Sequence, residues 1–87
     1  MYEVLLHPDA QEVYIKADKS LAKKIARCFQ QLEQVPRSHP NIKALKGDYA
    51  GYYRYRIGDY RVIYLVDDGL VQVFVVAIAH RGEACES

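Results

Sequence analysis

The pattern of apolar and polar positions divides the chain into a helical first half and a strand-rich second half. Tyr2 to Leu6 is apolar and β-favouring, which predicts a first strand; His7-Pro8 ends it, because proline has no N–H to donate to a ladder. From Asp9 the spacing becomes helical, with Ala10, Val13, Tyr14 and Ala17 recurring at intervals of three and four. Asp18 is placed to cap a second helix. In that helix Leu21, Ile25, Phe29 and Leu32 form one stripe, while Lys19, Lys23, Lys24, Arg27, Gln30, Gln31 and Gln34 fill the remaining faces. Pro36 stops it, so the two segments read as a helical hairpin.

A loop containing Pro36, His39 and Pro40 leads through Ile42–Gly47 into a second half that reads as β-sheet. Tyr52 to Ile57 alternates aromatic or aliphatic residues with arginine, Tyr60 to Val66 is β-branched and aromatic, and Leu70 to Ala79 is a long apolar strand. Gly58-Asp59 suits a two-residue hairpin turn, and Asp67-Asp68-Gly69 supplies the next. The expected order is β-α-α-β-β-β. This is an α+β fold in which a helical hairpin packs on one face of a small antiparallel sheet, as one domain over residues 1–87.

The two-residue turn fixes a register. Ile57 faces Tyr60, Arg56 faces Arg61, Tyr55 faces Val62 and Arg54 faces Ile63. Alternation then gathers Tyr53, Tyr55, Ile57, Tyr60, Val62, Tyr64 and Val66 on a face fit to receive the helices. Tyr52, Arg54, Arg56 and Arg61 occupy the other. Like charges directly opposite each other destabilise a strand pair, by something on the order of 0.2–1 kcal/mol. Two readings fit that face. It is either a solvated surface on which long arginine stems cover apolar neighbours, or a phosphate site that uses the bidentate guanidinium fork.

Composition narrows the class. Half of the 87 residues are hydrophobic (51%) and 26% are charged, the balance of an ordinary soluble globule. No stretch approaches the roughly 18 apolar residues of a membrane span, and no basic segment precedes an apolar signal core, so a cytoplasmic protein without membrane contact is expected. The two cysteines offer neither a disulfide framework nor metal-ligand spacing; Cys28 reads as a small buried hydrophobe. The net charge of +1 hides an uneven distribution. Residues 43–61 carry five Lys/Arg against two Asp/Glu, whereas residues 62–87 carry one against four. Such local concentration is what an electrostatic footprint for nucleic acid requires.

His80-Arg81 follows the last strand. Cleavage of RNA by attack of the 2′-hydroxyl on the adjacent phosphate needs a proton acceptor, a proton donor and cations for the phosphorane charge. Histidine is the side chain whose ordinary pKa, about 6.5, suits proton transfer near neutrality, whereas arginine keeps its proton. The candidate catalytic set is therefore His80, Arg81, Arg61, Arg56 and Arg54, with a polar strand end as the plainer reading of His80. Lys43 and Lys46 are candidate RNA contacts, and Tyr52 is a candidate platform for a base. His7 and His39 sit in proline-flanked loops and read as structural. The sequence has no Gly-rich phosphate loop, no Cys/His metal cluster and no nucleophilic serine motif, so neither metal nor cofactor is expected.

Taken in order, Leu45-Lys46-Gly47, Tyr53-Arg54-Tyr55-Arg56, Tyr60-Arg61-Val62-Ile63-Tyr64, Val73-Phe74-Val75-Val76 and Ile78-Ala79-His80-Arg81 resemble the RelE/ParE toxin superfamily over the full chain. The resemblance implies the toxin of a type II toxin–antitoxin system. It would be a metal-independent endoribonuclease that enters the ribosomal A site and cuts mRNA there. It further implies a cognate antitoxin whose helical segment covers the toxin, and contact with operator DNA through that complex. Arg54 and Arg56 match the family's basic pair on the second strand, Arg61 the arginine after the turn, and Arg81 the arginine after the last strand; His80 is similar to the histidine of one subtype. Two features depart from the pattern. RelE carries lysines at the basic pair, and here the tail Gly82–Ser87 has no aromatic, with Cys85 near the place of the family's terminal tyrosine. The same resemblance admits a ParE-like inhibitor of DNA gyrase, or a catalytically degenerate module that only binds antitoxin.

Overall fold

The computed structural model describes residues 1–80. The elements are β1 (Glu3–Leu6), α1 (Pro8–Lys16), α2 (Lys19–Gln34), β2 (Ile42–Ala44), a single 3-10 turn (Gly47–Tyr49), β3 (Tyr53–Ile57), β4 (Tyr60–Asp67) and β5 (Gln72–His80). Both helices start where local chemistry favours it. His7 caps α1 by accepting the Asp9 N–H on Nδ1 at 3.1 Å, and Pro8 fills the first helical position, where its missing N–H costs nothing. Asp18 caps α2 by accepting the Leu21 N–H at 2.8 Å. The helices meet through an edge-on contact of Tyr14 with Phe29, ring centroids 5.4 Å apart.

The sheet has five strands in the order β1-β5-β4-β3-β2. The antiparallel meander β3-β4-β5 is the expected one, and Ile57, Arg56, Tyr55 and Arg54 pair with Tyr60, Arg61, Val62 and Ile63 as the two-residue turn dictates. Gly58 opens that turn at φ 54°, a conformation that L side chains rarely adopt. Two features go beyond the expected sheet. β1 lies parallel to β5, with Val4 beside Val73, so the sheet is mixed. The short β2 adds a fifth strand against β3. Both follow from the helical hairpin, which carries the chain from one edge of the sheet to the other. The final meander strand then returns beside β1 and runs in the same direction. The last strand also starts later than expected: Leu70 and Val71 belong to the turn, where Val71 sits at φ 53° and both are exposed.

The core lies between the helices and one face of the sheet. Ala10, Ile25, Cys28 and Leu32 from the helices meet Tyr55, Ile57, Val62, Tyr64, Val73, Val75 and Ile78. Each large aliphatic side chain fully buried there is worth about 1.5–3 kcal/mol. All seven residues assigned to the helix-facing side of β3 and β4 are in this core or packed against it. On α2 the deepest positions are Ile25, Cys28 and Leu32, with Leu21 and Phe29 flanking them. Burial pushes the Cys28 thiol far up, so it acts as a small hydrophobe.

Polar contacts tie down the loop after α2. The buried Tyr64 hydroxyl donates to the Pro36 carbonyl at 2.6 Å. Arg37 grips Asp68 with two parallel bonds of 3.0 and 2.9 Å, and its Nε donates to the Tyr53 hydroxyl at 3.1 Å. The Tyr2 hydroxyl donates to the same Asp68 carboxylate at 2.8 Å. This exposed cluster pins the loop and the chain start to the β4–β5 turn. Among the described residues no helix is long and apolar enough to cross a membrane.

Candidate functional site

The face of the sheet turned away from the helices carries the cations. Arg54 on β3 stands between Lys43 on β2 and Ile63 on β4. Arg61 on β4 stands between Arg56 on β3 and Ala79 on β5. Cross-strand partners share a face, so Lys43, Arg54, Arg56 and Arg61 form one cationic row. Their burial differs: Lys43 and Arg56 are exposed, Arg54 is half-buried, and Arg61 is 6% exposed. Among the described residues Arg61 is the one buried charge. An arginine cannot escape burial by losing its proton, so its charge persists beside that of Arg56. A planar, permanently charged fork fixed in place is suited to a phosphate.

Further across this face the character changes. Ile63, Leu65, Ala77, Leu5 and the exposed Phe74 continue it towards β1 as an apolar half. Two clefts lie around the β3–β4 turn and α2.

His80 falls elsewhere. A β-bulge between Ile63 and Tyr64 shifts the β4–β5 register, so that Tyr64 pairs with Val75 and Ile63 with Ala77. One extra residue in a strand reverses the side to which all later residues point. His80 therefore pairs with Tyr60, on the helix side, while Ala79 takes the place next to Arg61. Its ring meets the Tyr60 ring edge-on, with centroids 5.1 Å apart. His80 is exposed at the very end of β5. The structure thus brings Lys43, Arg54, Arg56 and Arg61 together and sets His80 at the end of the sheet, off their face.

The other candidates are spread along the same edge. Lys46 is exposed just before the 3-10 turn, and Tyr52 is half-buried with its ring edge-on to Tyr49 at 6.4 Å. Arg81 and Cys85 lie outside the described residues. Among the described residues, no three His, Cys, Asp or Glu side chains converge as a metal site would need. Lys24 and Arg27, on the faces of α2 outside its apolar stripe, are exposed and also line a cleft with Arg56, a placement the sequence reading did not single out. Their spacing of one helical turn, flanking the buried Ile25 and Cys28, is the signal that could have placed them there.

A helical hairpin behind a mixed sheet, with a cationic row on the free face, defines a compact class of small α+β proteins. The sequence profile described as the ParE toxin of type II toxin–antitoxin system, parDE, matches residues 4–85, and the chain belongs to that family. It is a type II toxin of the RelE/ParE superfamily, as the motif order implied. Toxin RelE of Mycobacterium tuberculosis is 46% identical over 39 residues, a match covering 45% of this chain and 40% of that relative. Among solved structures, the archaeal RelE–RelB complex from Pyrococcus horikoshii OT3 contains a chain 27% identical, with a TM-score of 0.81 over 95% of this chain and 98% of that one. The toxin–antitoxin complex RelBE2 from Mycobacterium tuberculosis contains one 26% identical, with a TM-score of 0.77 over 92% of this chain and 98% of that one.

Proposed function

We propose that this toxin is an endoribonuclease that enters the ribosomal A site and cuts the mRNA there, without a metal. The observation that carries this reading is the buried Arg61 directly opposite Arg56. Two cations directly opposite each other on one face are placed to take a phosphate between them. Arg54, Arg56, Arg61 and Arg81 hold the scissile phosphate and stabilise the charge of the phosphorane. Lys43, Lys46 and Tyr52 steady the strand on either side. His80 transfers the proton, acting from the end of the sheet on a strand that passes over it. A cognate antitoxin neutralises the toxin through a helical segment laid on it, and operator DNA is reached only through that complex. The relatives RelE–RelB and RelBE2 are themselves toxin–antitoxin complexes, which supports an antitoxin partner here. The test is expression of the toxin followed by primer extension on a translated message. Cuts that Arg61→Met or His80→Ala suppresses support the reading, and a message left intact by the wild type defeats it.

One observation favours a second reading. His80 lies off the arginine face, and the matching family profile is that of the ParE toxin. A ParE-like inhibitor of DNA gyrase would need no proton-transfer group among the arginines. Inhibited supercoiling with translation unaffected would select it.

A further inference from the structure

Around the edge of β3 from the arginine row lies a second concentration of positive charge. β2 ends its pairing at Tyr55, so Arg56 and Ile57 extend past it. There α2 and the hairpin turn border a cleft of about 220 Å³, lined by Lys24 and Arg27 of α2, by Asn41, and by residues 55–58 of β3 and the turn. Three of these residues are cations, and none is an anion. Among the described residues the ion pairs involve other side chains: His7 with Asp9, Lys16 with Glu12, and Arg37 with Asp68. Lys24 and Arg27 thus line one concavity that Arg56 borders from β3, with no carboxylate among its described lining residues. The walls also offer neutral polar residues, Asn41 and Tyr55. The neighbouring cleft has a different character. It runs between the start of α2 and the turn and includes Asp18 and Asp59. Anionic ligands are therefore directed to the Lys24–Arg27 side of Gly58.

Arg56 connects the two charged regions, being at once the partner of Arg61 on the open face and part of the cleft. A strand lying on the arginine face and passing over the hairpin end meets this cleft next.

We propose that the cleft between α2 and the hairpin end of β3 is a second phosphate-binding site, which holds the ribose-phosphate backbone of the RNA strand beyond the segment on the arginine face. This rests on the reading of the protein as an RNA-cleaving toxin, but it concerns binding and not the chemical step. Lys24 and Arg27 act as point charges on flanking phosphates and take no part in cleavage.

The test measures binding by fluorescence anisotropy to 2′-O-methylated single-stranded RNA, so that cleavage does not enter. Oligonucleotides of about 4 and about 12 nucleotides are compared across a salt series. Each phosphate contact to single-stranded RNA contributes about 0.7 to the slope of log affinity against log salt. The wild type is expected to show a steeper slope on the long RNA than on the short. Lys24→Gln/Arg27→Gln is expected to lower the long-RNA slope by about 1.4 and leave the short-RNA slope unchanged. Lys24→Arg/Arg27→Lys should restore it, and Lys19→Gln/Lys23→Gln, an equal charge loss elsewhere on α2, should not reproduce the effect. Equal slopes on both lengths, no binding of the wild type, or an equal loss in the Lys19/Lys23 variant would each overturn the proposal. Cleavage by saturating Lys24→Gln/Arg27→Gln toxin is read separately. Cleavage with no effect on slope defeats the second site alone, whereas the expected slopes with no cleavage by the wild type defeat only the catalytic reading.

Discussion

Arg61 stands directly opposite Arg56 on the free face of the sheet, 6% exposed while its partner is open to solvent. Folding has to bring two like charges together there, and one of them leaves water. Such an arrangement is expected of a site kept for a ligand. Replacing Arg61 by methionine, which preserves much of the volume and is apolar, should leave the protein cooperatively folded. The same change should lower cleavage by about 10²–10³-fold, the usual loss on removing one donor from a developing anion. Urea unfolding and single-turnover cleavage measured on the same preparations check both halves.

His80 presents the opposite case, a residue of expected chemistry in an unexpected place. Its ring packs against Tyr60 and not among the arginines. If it moves the proton, His80→Ala should lower kcat by about 10²–10⁴-fold and leave RNA binding unchanged. Parallel cleavage and anisotropy titrations would show this. Cleavage at the wild-type rate in His80→Ala would leave the arginines to act alone.

The contrast between these two residues shows what the sequence made legible. Period-two alternation and the two-residue turn at Gly58-Asp59 act over a few residues, so the face of Arg54, Arg56 and Arg61 and its register were readable directly. The place of His80 depends on one extra residue in β5, Val76, opposite the step from Ile63 to Tyr64, and the unbroken apolar run around it does not announce it. Without the extra residue, the alternation of β5 would put His80 on the arginine face. The parallel pairing of Val4 with Val73 and the short β2 escaped for a related reason, being long-range or only three residues long. The pin from Arg37 to Asp68 joins residues 31 positions apart and also leaves no periodic trace.

That pin yields a pH prediction. Hydrogen bonds, first from Arg37 and then from Tyr2, hold the Asp68 carboxyl below its ordinary value of 3.8. A carboxyl whose pKa is lowered on folding contributes stability above its unfolded pKa, and that contribution is lost as the pH falls through the folded value. Asp68→Asn removes it. The gap in Tm between wild type and Asp68→Asn should be constant near neutrality and close below about pH 4. Both groups are exposed, so the gap should also shrink with salt.

The buried hydroxyl of Tyr64 offers a test of the core. It donates to the Pro36 carbonyl at 2.6 Å from a fully buried side chain. Tyr64→Phe leaves that carbonyl without its donor and should cost about 1–3 kcal/mol in chemical denaturation. The loop that positions Arg37 would loosen with it.

The central claim is that the arginine face cuts RNA on the ribosome. It is tested most directly by primer extension on a translated message after expression of wild-type toxin and of Arg61→Met, with the fold of each confirmed by circular dichroism. Discrete cuts within translated codons that fall by at least about 10²-fold in Arg61→Met are the predicted result. An intact message under the wild type, or cuts undiminished by loss of Arg61, would contradict the account.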